Sequence, residues 1–391
     1  MARKDRTEAG EPPRIVWVSG AYGYDGDLIY FRDVFAEFVR RFPGGEIPVR
    51  RDFPVERYPE LPLRPLLRFI RLGRSRRRVG DVEYLGVYRI PTPGTFVRLL
   101  RERAAAHILI EFSPTSLTGF VAARLTRRRV VLLIESDPAF RGAPGSRAAL
   151  AVKRFVARRA DAVVVSNAAG ERFVRETLGV RHDRVVVGPY LTSAPAAPGD
   201  AGWEVEPSDP ARLLFLNSVT RRKGILQLVE ALAALGDGAR GRWVLDVVGG
   251  GAELEAVRQR VDELGIAEQV AFHGRVPYSA TGPHYAAADV VVCPTLADYR
   301  SLNGFEAVNA GKPVLISTYD GAHAEILAAA PAVRVIDPRD VASLTRALAE
   351  TLEPEALAAA KRRAAAVPGD FTVDRVGENL ERAVTIALSR A

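Results

Sequence analysis

The chain has 391 residues, 48% of them apolar, and a formal charge of +8. That length points to two domains rather than one. No apolar run approaches the roughly 20 residues of a membrane span, and the single cysteine, Cys293, excludes an intramolecular disulfide. Only five of the 55 basic residues are lysines (Lys4, Lys153, Lys223, Lys312 and Lys361), so each lysine attracts notice. A basic balance suits an anionic partner: nucleic acid, a phospholipid surface or a phosphorylated substrate.

Residues 1–13 are charged and Pro-rich. They lack the apolar core of a signal peptide and read as a disordered tail, and the expected compartment is the cytoplasm. A first domain is expected over 14–192. Its strands are predicted at Ile15–Val18, Ile108–Ile110, Val130–Leu133, Val163–Val165 and Val185–Val187, where short β-branched runs recur. The first strand is followed by Gly20-Ala21-Tyr22-Gly23-Tyr24-Asp25-Gly26. Gly20 and Gly23 allow a backbone to approach a phosphate closely, and they equally suit a flexible turn. Asp25 and Asp27 could hold a divalent cation, but no companion ligand cluster accompanies them, and no metal is expected.

Leu63, Leu66, Leu67 and Ile70 share one face if their segment is helical. Arg64, Arg68 and Arg71 lie beside them, and Arg74, Arg76, Arg77 and Arg78 follow. A basic amphipathic helix over 63–78 would lie on an anionic bilayer at the inner face of the cell membrane, or pack inside the first domain with a solvated basic end. Both readings stay open.

A Pro-, Ala- and acid-rich linker is expected over 193–210, then a second domain over 211–370 and a closing helix within 371–391, centred on Val373 to Leu388. Strands are predicted at Leu213–Leu216, Trp243–Val248, Val270–Phe272, Val290–Cys293, Val314–Ile316 and Val333–Ile336. Between them Ile225, Leu228, Val229 and Leu232 keep helical spacing, as do Leu254, Val257 and Val261. Continuous apolar strands alternating with helices imply parallel sheets covered on both faces. The fold class is therefore α/β, with two Rossmann-like domains and a ligand cleft beyond the carboxyl ends of their strands.

Three places in the second domain carry chemistry. Asn217 to Gly224 runs from a strand through Lys223 to a helix N-terminus, an arrangement that favours phosphate; a solvated basic loop is the plainer reading. Gly249 and Gly250 follow a strand end, where a simple turn competes with a ligand role. In Pro294 to Val314, Asp298 sits on a loop and Glu306 near the start of a helix, as carboxylates able to accept from vicinal hydroxyls. The five histidines show no metal-ligand spacing, and no serine sits in a nucleophile elbow.

This last stretch resembles the signature of retaining glycosyltransferase family 4, two glutamates separated by seven residues and then Ala-x-x-x-Gly-x-Pro-Val. Lys223-Gly224, Val247 to Gly251, Val270 to Val276, Tyr285 to Thr295 and Asp320 to Glu325 resemble its other motifs in order. In the first domain Val165-Ser166-Asn167 fits and little else does. The chain departs from the pattern in four places: aspartate replaces the first glutamate at Asp298, Ser301 stands for a glycine, the arginine before the lysine is missing, and Glu135 occupies the position of a common histidine.

The resemblance implies the GT-B fold and transfer of a hexose, with retention, from a UDP- or GDP-sugar to a hydroxyl acceptor. The acceptor would be lipid-linked if 63–78 docks on a membrane. The implied catalytic residues are Lys223, Asp298, Glu306 and Glu135. The implied donor-binding residues are Gly20, Gly23, Arg222, Gly249, Gly250, Arg275, Val276, Ser301, Leu302, Asn303 and Glu306. No cofactor is implied. The alternatives are a nucleotide-sugar epimerase on the same fold and a non-catalytic binder of anionic ligands or nucleic acid. Nucleic acid is not expected as a partner, because the chain lacks aromatic-basic interleaving and any known module.

Overall fold

A computed structural model describes residues 12–18, 28, 31–79, 82–134, 147–189, 191–192, 206–298, 300–366 and 371–390, with only the backbone of 74–88. Gly20, Gly23, Asp25, Asp27, Glu135 and most of the linker lie outside the described residues. The first half holds β1 (Ile15–Val18), β2 (Ile47–Arg50), β3 (Leu63–Leu67), β4 (Phe69–Val79), β5 (Val82–Pro91), β6 (Ala106–Ile110), β7 (Arg129–Ile134), β8 (Ala162–Val165) and β9 (Val185–Val187). The order β1-β6-β7-β8-β9 forms one parallel sheet. Apart from the buried His107 in β6 and Arg129 at the start of β7, its strands are apolar because both faces are covered. Trp17 and Val164 pack with Phe35 and Phe38 on one side, and Val16 and Leu132 pack with Phe120 on the other.

The second half holds β10 (Ala211–Leu216), β11 (Trp243–Val248), β12 (Val270–Gly274), β13 (Val290–Cys293), β14 (Val314–Ser317) and β15 (Val333–Ile336). They are parallel in the order β12-β11-β10-β13-β14-β15. The order reverses between β10 and β13, which opens a crevice at their carboxyl ends. Cys293 is buried in this core, and burial pushes its thiol well above its ordinary range. The helix Val373–Leu388 returns to the first half and packs on β7, β8 and β9 through Val376, Leu380 and Val384. Among the described residues no helix is long and apolar enough to cross a membrane.

The helix expected over 63–78 does not form. That stretch is β3 and β4, and β4 pairs antiparallel with β5 as a two-stranded ribbon. Leu63 and Leu67 are buried, whereas Ile70 and Leu72 are exposed by 46% and 60%. The i, i+3, i+4 spacing of the leucines fits a helix, with Pro65 tolerable in its first turn, but strand periodicity also puts residues 63 and 67 on one face. Pairing of β3 with β2 and of β4 with β5 satisfies the backbone and decides the outcome.

Candidate functional site

The crevice is a cavity of about 820 Å³. Its floor is set by two glycine turns. Gly224 has φ +70°, and a Cβ there would lie 1.9 Å from the Pro294 carbonyl oxygen. Gly249 has φ +142°, and its Cβ would lie 1.8 Å from the Asn217 carbonyl oxygen. Only glycine permits both approaches. The loop after β13 is stapled to the loop after β10, because the Arg222 carbonyl accepts from the Leu296 N–H at 2.8 Å and from the Thr295 hydroxyl at 2.9 Å.

This stapling brings charge together. Lys223 Nζ lies 2.5 Å from Asp298 Oδ2, and Arg222 Nη1 donates to the same oxygen. Burial alone would raise the Asp298 carboxyl, but Lys223 and Arg222 override it and hold it well below its ordinary range. Behind it Asp320 is fully buried and accepts from Ser301 Oγ, Ser301 N–H and Ala322 N–H. Burial, and then the charge of Asp298, push Asp320 the other way, upward.

Glu306 lies in the middle of the helix Leu302–Asn309 rather than at its start. It is buried, and it accepts a hydrogen bond of 2.5 Å from the Tyr285 hydroxyl. That bond fixes the carboxylate's rotamer. Burial, and then Glu306, raise the Tyr285 phenol well above its ordinary range, so it remains a donor. One helical turn earlier, the buried Asn303 side-chain carbonyl has no hydrogen-bond partner among the described residues.

Arg222, Lys223, Gly249, Gly250, Arg275, Val276, Asp298, Ser301, Leu302, Asn303 and Glu306 all line this one cavity. Arg222, not Arg221, is the arginine beside Lys223 that faces the cavity. Residues not singled out from the sequence also line it: Arg57 from the first half, and Tyr278, Thr281 and Arg300 from the second. Arg57 is one arginine among many, and only tertiary folding brings it to the cavity. Arg300 lies within the quoted stretch, between Asp298 and Glu306, where a lone basic residue carried no distinct signal. It pairs with Glu325 at 2.9 Å, and its Nη1 donates to the Leu191 carbonyl at 2.8 Å, tying the cleft to the end of the first half. From the first half, Asn167 Nδ2 approaches the same Glu325 at 3.5 Å. Among the described residues no three His, Cys, Asp or Glu side chains converge as metal ligands would.

The sequence matches the families "Glycosyl transferases group 1" over residues 203–366 and "Glycosyl transferase 4-like domain" over residues 21–190. It is 35% identical over 160 residues to a 2-deoxystreptamine N-acetyl-D-glucosaminyltransferase of Streptomyces fradiae, covering 40% of this chain and 37% of the relative. It is 30% identical over 259 residues to a D-inositol 3-phosphate glycosyltransferase of Geodermatophilus obscurus, covering 62% of this chain and 56% of the relative. The chain thus spans about half the length, or less, of these curated relatives. In fold it is similar to Anabaena HepE, solved in complex with UDP, with a TM-score of 0.70 at 16% identity over 95% of this chain and 99% of that one. Family matches on both halves, and the same two-domain fold along nearly the whole chain, place the protein among the family 4-type glycosyltransferases with the GT-B fold.

Proposed function

We propose that this chain transfers a hexose, with retention of configuration, from a nucleoside diphosphate sugar to a hydroxyl acceptor. The observation that carries the reading is the convergence of Lys223 and Arg222 at the switch point of the second sheet, with a fixed carboxylate, Glu306, on the neighbouring helix. The two cations would take the diphosphate, Glu306 the ribose hydroxyls, and Asp298 the sugar. Asp298 meets both cations, so the donor's phosphates would compete with it for them. Asp298 is then released toward the sugar.

In the reaction the bond between the anomeric carbon and the diphosphate oxygen breaks. The bond to the acceptor oxygen forms on the same face, and the acceptor's proton passes to the departing oxygen. The protein's part is to stabilise charge growing on that oxygen, which suits Lys223 and Arg222 in place of a metal ion. Arg57 is the cleft-lining residue that the first half supplies among the described residues. It marks the side from which the acceptor enters.

A thermal-shift panel of UDP- and GDP-sugars tests the reading. Stabilisation by one donor and by its nucleoside diphosphate is expected, and a uniformly flat panel would overturn it. Turnover is expected to survive EDTA. Loss on chelation with rescue by manganese would return Asp25 and Asp27 as candidates. Conversion of a nucleotide sugar without any acceptor would favour the epimerase.

A further inference from the structure

The first half carries a second concavity, of about 660 Å³, that shares no lining residue with the cleft. Arg50, Arg51 and Asp52 come from the end of β2 and the turn after it. Leu67, Arg68, Phe69 and Arg71 come from β3 and the start of β4, and Arg89 and Thr92 from the end of β5. Five guanidinium groups therefore face one carboxylate. Asp52 pairs with Arg50 at 3.2 Å. Arg51, Arg68, Arg71 and Arg89 meet no carboxylate among the described residues.

The backbone does not let these charges drift apart. Arg71 stands directly opposite Arg89 in the antiparallel ladder, an arrangement of like charges that destabilises a strand pair. Arg51 N–H donates to the Leu67 carbonyl at 2.9 Å. Thr95 Oγ1 accepts from Arg68 N–H and donates to the Arg68 carbonyl, both at 2.9 Å, and Thr92 N–H donates to that carbonyl as well. The scaffold thus holds unmatched cations around a floor of buried Leu67 and half-buried Phe69. A dianion there would relieve the repulsion and accept paired, charge-assisted hydrogen bonds from planar guanidinium groups. The volume exceeds a bare phosphate and leaves room for an organic body.

We infer that this pocket binds the phosphate group of a phosphorylated acceptor, apart from the donor cleft. The turn that carries Arg50 to Asp52 continues through Val55–Arg57 to Arg57 at the cleft, and β5 touches the Arg221–Lys223 turn. A phosphate held here leaves the rest of its molecule within reach of the cleft mouth. The acceptor role rests on the transfer reading; the phosphate site stands on its own residues.

The test is calorimetric titration of the full chain with inorganic phosphate and glycerol 3-phosphate, with UDP as the cleft control, and sedimentation with phosphatidylglycerol-containing vesicles against pure phosphatidylcholine. The variants are Arg71→Gln/Arg89→Gln and Arg51→Gln, each checked for an unchanged melting temperature. The expected result is saturable glycerol 3-phosphate binding, weakened on the order of tenfold or more by the variants while UDP binding is unchanged. Binding only to phosphatidylglycerol vesicles, lost in the variants, supports the same site with a lipid headgroup as its source. No binding of either kind at low salt, or binding that both variants retain, overturns the inference. Failure of the wild type to bind UDP and, in a parallel titration, GDP overturns the donor reading and leaves this one intact.

Discussion

The two pockets treat their cations in opposite ways. In the cleft of the second half the buried cations Lys223 and Arg300 each have a carboxylate: Lys223 shares Asp298 with the half-buried Arg222, and Arg300 meets Glu325. Deeper in the same half Lys361 meets Asp289, which also accepts from Arg212 N–H at 2.7 Å. At the ribbon of the first half Arg51, Arg68, Arg71 and Arg89 have no such partner among the described residues. Matched cations are positioned before a ligand arrives, and the ligand must compete with an internal carboxylate. Unmatched, exposed cations keep their full charge and gain more from an incoming anion, at the cost of salt sensitivity.

The comparison breaks most visibly at Lys223. Its ammonium is buried and fixed, so Lys223→Ala should lower kcat on the order of 10²-fold, the scale of one lost transition-state contact. Arg89→Gln should leave UDP affinity unchanged. Steady-state kinetics and UDP titration check both. Near-normal turnover in the lysine variant would mean that the preformed cation pair is scaffold.

Glu306→Gln should weaken the nucleoside diphosphate and the donor alike, on the order of tenfold for one charge-assisted hydrogen bond. Tyr285 can still donate to an amide oxygen, so the fold should persist. A variant that melts early yet has normal kinetics per folded molecule would assign Glu306 to packing.

Much of the cleft was legible in the sequence. β1 and β13 appear at the expected bounds, because continuous apolar runs buried on both faces leave little choice of period or limit; β11 and β15 keep theirs although Asp246 and Arg334 interrupt them. The lysine turn and the carboxylate pair were legible because strand, loop and helix N-terminus are contiguous there. The position of Glu306 in mid-helix was less so, since helix Leu302–Asn309 begins four residues before it and not beside it. The ribbon was misread because Leu63, Leu66, Leu67 and Ile70 satisfy a helix period, while the strand that forms exposes Ile70 and Leu72. A two-stranded ribbon buries too little apolar surface to imprint a pattern on its sequence. The arginine pocket needs three separate strand ends, which no spacing along the chain encodes.

Asp298 sharpens the comparison through pH. Asp298→Asn frees Lys223 and Arg222, so the nucleoside diphosphate should bind several-fold tighter, on the order of 1 kcal/mol, while transfer falls. The carboxyl's folded pKa lies below its unfolded value of roughly 3.9. Its contribution to stability is therefore fully present above that unfolded value and is lost as pH falls through the folded one. The stability gap between wild type and Asp298→Asn should be constant from neutral pH down to about pH 5 and should close only in stronger acid. Denaturant unfolding across that range checks it. A gap that closes near neutrality would mean that Asp298 is not held by the two cations.

The smallest expected effect concerns the helix that ties the halves together. At Gly377 an added Cβ would lie 2.3 Å from Glu37 Oε1 and 2.4 Å from Arg41 Nε. Arg41 meanwhile pairs with Glu381 at 2.7 Å and with Asp374 at 2.8 Å, which clamps the helix Val373–Leu388 to the helix Phe31–Arg41. The atoms in the way are ends of flexible side chains, so they can move, but moving them loosens the clamp. Alanine also gains about 0.8–1.0 kcal/mol of helix propensity over glycine. The two effects oppose, and Gly377→Ala should cost no more than about 1 kcal/mol in the wild type. In a Glu37→Ala/Arg41→Ala background the clash is gone and only the propensity remains, so the same substitution should stabilise. Denaturant unfolding of the four variants as a double-mutant cycle reads the difference. Stabilisation by the same amount in both backgrounds would show that close approach at Gly377 does not set how the crossing helix seats on the first half.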